Sequence, residues 1–522
     1  MVVRRMGAAG SRCPLSFDPG APAGHLVVLH SGDNKPKETA MIVETPIQRL
    51  DRIFSLQKAV FANDMFPSAE ARIERMSRVA PMMLKNRRRI QEAMAADFGS
   101  HSALASDMIE ILSMFERVRF NCENVHAWMQ PVPKFVDAAQ QGESVAYVQH
   151  SPKGVICNMV AWNFPFDVGI GPVIDMLGAG NRAIIKPSEL NPHCGALMEE
   201  MFADSFAEDE VAVVNGGLDL ARYCATLPWD HLVFTGGTAI GREVMKACAQ
   251  NLVPVTLELG GRNPTIVGPD KLTDPQTLSV IAGIKAIKRG QMCVTVDHLL
   301  VPENGLDSFV AALTEVMRQG FAHDNGAGSA CGIISERHLA RLNDLVDDAR
   351  ARGAQVIRIG GDMDPARRDM PFYLIVNPGD DARVVNEEIF GPILPILAYK
   401  DIDDLIARIQ RGDLPLAIYA FTDDPALRQA ITTRTRSGGV CFNAAALQAA
   451  QASMGFGGVG ASGMGRHHGE EGFREFSNPR GFYERRAGGI LELSTPPYSD
   501  ATREMVDGMV YPQLAAALGV EQ

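Results

Sequence analysis

Two short stretches of the sequence carry residues that could do covalent chemistry. Cys293 follows Gly290 by three positions, and Glu258 precedes the pair Gly260 and Gly261. A cysteine is a nucleophile only as the thiolate, and it becomes useful where a turn exposes it beside a group that handles protons and water. Gly290 allows such a turn, and the two glycines let the backbone open so that the Glu258 carboxylate can act as a general base. We therefore predict that Cys293 and Glu258 work together; the alternative is a buried apolar cysteine and a surface glutamate.

The elements that must position this pair are predicted by a regular alternation of apolar runs and helix-length segments. The runs lie at residues 154–160, 182–186, 211–214, 231–234 and 255–258, and a second series lies at 265–267, 298–301, 372–376, 416–421 and 439–442. Runs without a polar face predict strands buried on both sides, hence parallel sheets with crossover helices. In such doubly wound α/β domains ligands bind at the carboxyl ends of the strands, so the residues just after each run are candidates.

Polar residues suited to a nucleotide follow three of these runs. Trp162 and Asn163 follow the first, Lys186 ends the second with Glu189 close behind, and a glycine-rich turn follows the fourth. That turn consists of Thr235, Gly236, Gly237 and Thr238, with Gly241 in the helix that it opens. Free N–H groups at a helix start suit a phosphate. Glu189 can accept hydrogen bonds from the hydroxyls of an adenosine ribose and would repel a 2'-phosphate, which favours NAD over NADP.

The composition is that of an ordinary globular enzyme and excludes several classes of partner. The 522 residues are 46% hydrophobic and 21% charged, with a formal net charge of −12. No basic cluster is longer than residues 85–89, which argues against a nucleic-acid partner. The nine cysteines show no CxxC pair or metal-ligand spacing, which favours a reducing cytoplasm and no metal. No apolar run reaches the roughly 18 to 20 residues that a membrane helix needs.

The domain organisation follows from changes in composition along the chain. The first 40 residues are rich in Gly, Pro and Ala and predict a mobile leader. We predict an NAD(P)-binding domain at 41–130 and 151–261, an oligomerisation arm with a C-terminal segment at 131–150 and 456–500, and a catalytic domain at 262–455.

With these residues in hand, residues 45 to 480 resemble the aldehyde dehydrogenase superfamily. Seven motifs match in order: Trp-Asn-Phe-Pro at 162–165, Lys-Pro-Ser-Glu at 186–189, Phe-Thr-Gly-x-Thr-x-x-Gly at 234–241, Leu-Glu-Leu-Gly-Gly at 257–261, Gly-Gln-x-Cys at 290–293, Glu-Glu-Ile-Phe-Gly-Pro at 387–392 and Phe-Gly-Gly-Val-Gly-x-Ser-Gly-Met-Gly at 456–465. The last of these, with the strand at 416–421, resembles the branch that holds coniferyl aldehyde and fatty aldehyde dehydrogenases. The expected fold is a Rossmann-type cofactor domain with an α/β catalytic domain and a small oligomerisation arm.

The resemblance implies a reaction and a role for each site residue. Cys293 attacks the aldehyde carbonyl, and the Asn163 amide with the Cys293 backbone N–H holds the oxyanion. Hydride passes to the nicotinamide, and Glu258 then activates the water that releases the carboxylic acid. The residues implied to contact NAD, or NADP in its place, are Trp162, Lys186, Glu189, Thr235, Gly236, Gly237, Thr238, Gly241, Leu259, Glu388 and Phe390. A cytoplasmic homo-oligomer is expected, with a dimer favoured, acting on a small-molecule aldehyde.

The chain departs from the usual pattern of the superfamily near the substrate. Relatives usually carry Asn five residues before the cysteine, where Lys288 stands here with Arg289 beside it; Met292, Ala161 and Met454 are further departures. Met292, Phe166, Met454 and Phe456 are candidate lining for a channel that suits a bulky aromatic aldehyde such as coniferaldehyde. Lys288 and Arg289 could bind a phenolate there, although the sequence favours both as solvated residues.

Three other readings of the site remain open at this point. A cysteine hydrolase would pair the cysteine with a histidine, for which His467 and His468 are the candidates. A coenzyme-A-acylating dehydrogenase would pass the thioester to a thiol, and Glu258 argues against it. A catalytically silent member of the fold would lack a complete site, whereas Cys293, Glu258 and Asn163 are all present.

Overall fold

The computed structural model describes residues 44–321, 331–361, 364–490, 495–509, 512 and 514–519. The predicted leader at 1–40 lies outside these residues.

The strands are β1 Val132–Lys134, β2 Val145–Pro152, β3 Val155–Met159, β4 Arg182–Lys186, β5 Val211–Val213, β6 His231–Gly236, β7 Val255–Leu259, β8 Pro264–Val267, β9 His298–Pro302, β10 Gln355–Ile359, β11 Phe372–Val376, β12 Ile393–Tyr399, β13 Ala417–Phe421, β14 Gly439–Phe442, β15 Gly463–Met464 and β16 Ser477–Glu484. The helices are α1 Pro46–Asn63, α2 Ala69–Ser77, α3 Val79–Lys85, α4 Arg87–Phe98, α5 Ala103–Ser106, α6 Ser113–Trp128, α7 Ala138–Gln141, α8 Asp167–Gly178, α9 Pro192–Ser205, α10 Leu218–Cys224, α11 Thr238–Ala249, α12 Pro275–Ala286, α13 Leu306–Phe321, α14 Glu336–Ala351, α15 Arg383–Asn386, α16 Ile402–Arg411, α17 Pro425–Arg434, α18 Leu447–Ala450, α19 Gly469–Glu475, α20 Asp500–Met509 and α21 Ala515–Leu518.

The first sheet contains all five strands predicted from the first series of apolar runs. Its strand order is β15-β7-β6-β3-β4-β5, and β3 to β7 pair in parallel while β15 pairs antiparallel to β7. Every residue of β3 and β4 is buried, as their apolar composition requires. Apolar clusters from the flanking helices cover both faces, which confirms the predicted doubly wound architecture.

The second sheet contains the second predicted series and two strands that the sequence analysis did not identify. Its order is β10-β11-β12-β9-β8-β13-β14, parallel except for the pair of β10 with β11. Strand β12 lies between β11 and β9 even though it contains Pro395, which is paired with Ile375 in the ladder. A proline argues against a central strand because it cannot donate to the ladder, so burial of the rest of β12 overrides the local signal.

The third sheet is a small antiparallel one of order β1-β2-β16, and none of its strands belongs to the two series of apolar runs. Strand β16 pairs with β2 along its full length, and the rings of Tyr147 and Phe482 stack at 5.0 Å across the pair. The side chains of β1 are exposed. The predicted domain boundaries remain predictions, although the predicted arm segment at 131–150 contains β1 and β2.

Helices wrap the first sheet on the N-terminal side. Ser68 caps α2 by accepting a hydrogen bond from the Ala71 N–H at 3.3 Å. The helical stretch from Ala103 to Trp128 consists of α5, a π-helical segment Asp107–Leu112, and α6. Such π-segments occur frequently at functional sites. Among the helices in the described ranges, none is both long enough and apolar enough to cross a membrane.

Candidate active site

Glu258 lies near the end of β7, buried between neighbouring strands. It pairs with Gly463 of β15 on one side and Thr235 of β6 on the other. Its residue exposure is 3%, and within the described part of the chain neither carboxylate oxygen has a hydrogen-bond partner. Burial raises the pKa of Glu258 well above that of an ordinary glutamate, so it is poised to take up a proton at higher pH than usual.

Cys293 follows a sharp turn that the backbone makes in the left-handed region. Lys288, Arg289 and Gly290 have φ of 49°, 54° and 72°. A Cβ on Gly290 would lie 2.4 Å from the Gly391 carbonyl oxygen, so this position requires the predicted glycine. The Asn263 side chain donates to the Cys293 carbonyl at 2.6 Å and fixes the turn from the other side.

The Cys293 thiol sits in an environment that disfavours the thiolate in this structure. Burial, followed by the charges of Glu258 and Glu388, raises the pKa of Cys293 to about 12. The carboxylate of Glu258 is therefore close enough to act electrostatically on the thiol. Glu258 lies in β7 of the first sheet, whereas Cys293 lies in the loop before β9 of the second sheet.

Asn163 lies in the turn between β3 and α8. The residue is 3% exposed, and its side-chain amide makes no hydrogen bond to another described residue, so a turn-capping role is not seen. The next residue, Phe164, packs in a cluster with Met292 and Cys293. The turn with Asn163 therefore lies against the turn with Cys293.

His467 and Arg117 complete the surroundings of the base, and the sequence analysis did not assign them this role. The Arg117 guanidinium donates to His467 Nδ1 at 3.1 Å, and His467 Nε2 lies 3.9 Å from a Glu258 carboxylate oxygen. A guanidinium can only donate, so Nδ1 must be the acceptor and the neutral imidazole carries its proton on Nε2, facing Glu258. Burial lowers the pKa of His467 well below its ordinary value, which keeps the ring neutral.

The residues predicted to hold the adenosine ribose lie together at the end of β4. Lys186 Nζ is 3.1 Å from a Glu189 carboxylate oxygen. The Lys186 side chain is 4% exposed, whereas the Glu189 side chain is 45% exposed. The Glu189 carboxylate is therefore exposed to solvent, whereas the Lys186 ammonium that it contacts is buried.

The glycine-rich turn follows β6, which is separated from β4 by β3 in the sheet. Strand β6 ends at Gly236, and Gly237 is the N-cap residue of α11. A Cβ on Gly237 would meet nothing within 4 Å, so space is open in front of the helix start. Gly241 lies under Leu259, whose side chain would come within 2.5 Å of a Cβ at that position. The helix N-terminus and this open space are suited to a phosphate group.

Glu388 and Phe390 approach the site from the second sheet. Glu388 accepts a hydrogen bond from the Gly261 N–H at 2.8 Å, and burial raises its pKa to about 7. The ring of Phe390 contacts Trp162 edge to face at 5.2 Å. Arg341, which the sequence analysis did not assign, donates to the Glu388 carbonyl at 3.1 Å and holds this segment.

Two expectations about the substrate channel are wrong. Lys288 and Arg289 are neither solvated nor available to a substrate: they are 2% and 6% exposed and form ion pairs with Glu110 at 2.7 Å and Asp369 at 2.9 Å. The left-handed turn points both side chains inward, where acidic partners meet them. Phe166 is 0% exposed within the helical core and cannot line a channel.

The remaining channel candidates have different environments. Met292 is 4% exposed and packs against Leu416 beside Cys293, and Phe456 packs at the edge of the same cluster. Met454 is 51% exposed. Met292 and Phe456 therefore remain candidates for the inner end of a channel.

Comparison with known proteins identifies the family. The model described as "Aldehyde dehydrogenase family" matches residues 53–481. A "Probable coniferyl aldehyde dehydrogenase" of Pseudomonas aeruginosa is 37% identical over 88% of this chain and 96% of its own length. A "Coniferyl aldehyde dehydrogenase" of a Pseudomonas species is 38% identical over 83% of this chain and 90% of its own.

A solved structure shows the same architecture. Staphylococcus aureus AldH, in a substrate-bound state, superposes with a TM-score of 0.81 at 28% identity, covering 88% of this chain and 99% of that one. The predicted fold class is thereby confirmed. The chain belongs to the aldehyde dehydrogenase family and is an NAD(P)-dependent aldehyde dehydrogenase.

Proposed function

We propose that this enzyme oxidises a bulky aromatic aldehyde to the carboxylic acid through a thioester on Cys293, with Glu258 as general base and Asn163 as oxyanion donor. The observation that carries the proposal is the pairing of nucleophile and base. The Glu258 carboxylate is buried without a hydrogen-bond partner among the described residues, and its charge contributes to the raised pKa of the Cys293 thiol. A buried carboxylate without hydrogen bonds is costly, and such groups occur where chemistry needs them.

The residues around the site fit a dinucleotide. The open space before Gly237 and the start of α11 suit the pyrophosphate, and the exposed Glu189 carboxylate suits the ribose hydroxyls. Glu388 and Phe390 would position the nicotinamide ribose and ring next to Trp162. NAD(P)+ bound there would supply the hydride acceptor.

The chain's own groups account for the remaining steps. The Cys293 thiol releases its proton to water as its sulfur bonds to the aldehyde carbon, and the Asn163 amide and the Cys293 N–H stabilise the negative oxygen. Loss of hydride converts this adduct to a thioester. Glu258 then removes a proton from water as the water attacks the thioester, which releases the acid and restores the thiol.

The alternative of a cysteine hydrolase does not fit the histidines. His467 is engaged by Arg117 through Nδ1 and presents Nε2 to Glu258. His468 donates its backbone N–H to Asp175, and its ring stacks on His467 at 4.5 Å. This geometry supports Glu258, rather than a histidine, as the base. Transfer of the acyl group from the thioester to coenzyme A would need no carboxylate that activates water. The presence of Glu258 therefore argues against this alternative.

Cofactor preference is the first testable property. We propose that NAD is preferred because a 2'-phosphate would meet the exposed Glu189 carboxylate, whose repulsion the buried Lys186 offsets only in part. Glu189→Gln removes the repulsion between the carboxylate and the 2'-phosphate of NADP. It also leaves the positive charge of Lys186 free to attract that phosphate. We expect the NADP-to-NAD ratio of kcat/KM to rise by roughly tenfold, the change that ~1.4 kcal/mol produces.

Steady-state kinetics with both cofactors measure this ratio. The matched control is Glu208→Gln, a partly exposed carboxylate paired with Arg52 at 2.7 Å on the same domain, which should leave the ratio unchanged. An unaltered ratio in Glu189→Gln would show that Glu189 does not face the ribose.

Substrate choice is the second testable property. The apolar cluster beside Cys293 and the similarity to coniferyl aldehyde dehydrogenases support a planar aromatic aldehyde with a conjugated arm. We expect kcat/KM to rank hydroxycinnamaldehydes above long aliphatic aldehydes, and both above acetaldehyde.

An aldehyde panel scored by NADH and NADPH absorbance tests this ranking. If long-chain aldehydes come first, the alternative of a fatty aldehyde dehydrogenase is favoured. If acetaldehyde exceeds coniferaldehyde, the proposed channel is wrong. If no aldehyde yields reduced cofactor, the catalytic proposal itself fails.

We further propose a cytoplasmic homo-oligomer, with a dimer favoured. The small sheet offers a surface for it, because the β1 side chains are exposed and the neighbouring Phe135 is 92% exposed. Large apolar side chains on an exposed sheet edge are typical of interaction sites.

A further inference from the structure

A buried ion pair between Lys288 and Glu110 lies beside the candidate active site. Lys288 Nζ lies 2.7 Å from a Glu110 carboxylate oxygen, and both side chains are 0% exposed. Their positions are 178 residues apart in the chain, Glu110 in the π-helical segment and Lys288 in the turn before Cys293. A fully buried ion pair is costly to desolvate, so its presence at this point calls for a specific reason.

The pair holds the turn that carries Asn163. Lys288 Nζ donates a hydrogen bond to the Asn163 carbonyl oxygen. The second oxygen of Glu110 accepts the backbone N–H groups of Phe166 at 3.1 Å and Asp167 at 2.9 Å. The ammonium also lies over the Phe164 ring, 4.3 Å from its centroid. Lys288 and Glu110 therefore fix three backbone groups and one ring within this turn.

The same lysine belongs to the turn that carries the nucleophile. Lys288 has φ of 49°, and its carbonyl accepts the backbone N–H of Gln291 at 3.1 Å and the Gln291 side chain at 2.9 Å. Its backbone thus helps to shape the Cys293 turn while its side chain reaches the Asn163 turn. An asparagine at this position would be too short to reach Glu110 in the same way.

We infer that Lys288 and Glu110 are positioning residues that set the Asn163 side-chain amide against the sulfur of Cys293. The inference rests on the proposed roles of Cys293 and Asn163 in aldehyde oxidation. Among the described residues the Asn163 side-chain amide makes no hydrogen bond, so its direction depends on how its backbone is held. A misplacement of about 1 Å in a catalytic group can cost about a hundredfold in rate, so a well-fixed turn has a direct kinetic value.

The test separates positioning from stability by comparing one single and one double variant. Lys288→Met leaves Glu110 buried without its cation and should lower both the melting temperature and the rate of the first NADH burst. Lys288→Met combined with Glu110→Gln removes both charges and should recover most of the melting temperature, because a neutral pair avoids the unpaired buried charge. We expect its burst rate to stay roughly ten- to a hundredfold below wild type, since the Asn163 carbonyl still lacks its donor.

The matched control is the neighbouring ion pair on the same turn. Arg289 and Asp369 are also mostly buried and 2.9 Å apart, and Arg289 lies over the Phe372 ring, which belongs to the second sheet. Arg289→Met with Asp369→Asn should keep the burst within about twofold of wild type, because charge removal without loss of the Asn163 contact leaves the oxyanion site in place.

The outcomes decide between the explanations. Recovery of both melting temperature and burst rate in the Lys288–Glu110 double variant would reduce the pair to a stability role and overturn the inference. An equal fall of the burst rate in the Arg289–Asp369 control would assign the effect to general distortion of the turn. This result would also overturn the inference. If the wild type forms no NADH with any aldehyde, or keeps its activity without Cys293, the proposed function fails instead.

Discussion

Cys293→Ala is expected to abolish aldehyde oxidation while the protein still binds NAD. The sulfur forms the bond to substrate carbon, and removing a covalent nucleophile typically costs on the order of 10⁴-fold or more. The proposed phosphate and adenosine contacts, at α11 and Glu189, belong to the first sheet and do not depend on the thiol. Oxidation is measured by NADH formation, and NAD binding by titration calorimetry.

The matched control for this variant is a second buried thiol near the same turn. Cys331 lies 3.7 Å from the Gln291 side chain, and burial raises its pKa to about 12, as it does for Cys293. Cys331→Ala should keep most of the activity, because this sulfur is not paired with Glu258. Near wild-type oxidation by Cys293→Ala would place the nucleophile elsewhere.

Glu258→Gln should separate the two halves of the reaction. Thioester formation does not require the general base, so the first turnover should still release one equivalent of NADH per site. Steady-state turnover should fall by roughly 10² to 10⁴, the usual contribution of a general base. Because burial raises the pKa of Glu258, wild-type turnover should rise with pH as the carboxyl ionises, and the variant should lose this rise.

Stopped-flow absorbance measures both phases. Glu475→Gln is the control: it removes a nearby carboxylate that accepts a hydrogen bond from Thr256 at 2.7 Å but is not the proposed base. The Glu475→Gln variant should keep its steady-state turnover within a few-fold of the wild-type value. Equal loss of burst and steady state in Glu258→Gln would assign Glu258 another role.

The sequence predicted the parallel sheets well where strands are buried on both faces. The runs that became β3 and β5 are apolar apart from Asn158, and this pattern has few alternatives. Strand β12 was missed because Pro395 is locally unfavourable for a central strand. The short exposed β1 depends on pairing with β2, which no local pattern reveals.

In the candidate site, too, features that depend on neighbouring residues could be predicted, whereas contacts between residues far apart in the chain could not. Cys293 and Glu258 could be identified because glycines beside them permit the required turns. Arg117 reaches His467 across 350 residues, and Lys288 reaches Glu110 across 178, so neither contact leaves a local signal. The basic pair at 288–289 looked solvated because a lysine and an arginine side by side usually are, and only tertiary structure shows their acidic partners.

The most direct test is to locate the acyl group itself. Glu258→Gln, mixed with NAD and coniferaldehyde and quenched in acid within the burst, should carry the thioester, because hydrolysis is slow. Peptide mass spectrometry should then find the acyl mass on the peptide that contains Cys293, in an amount equal to the NADH burst. NADH release without any acyl adduct, or an adduct on a different cysteine, would contradict the account.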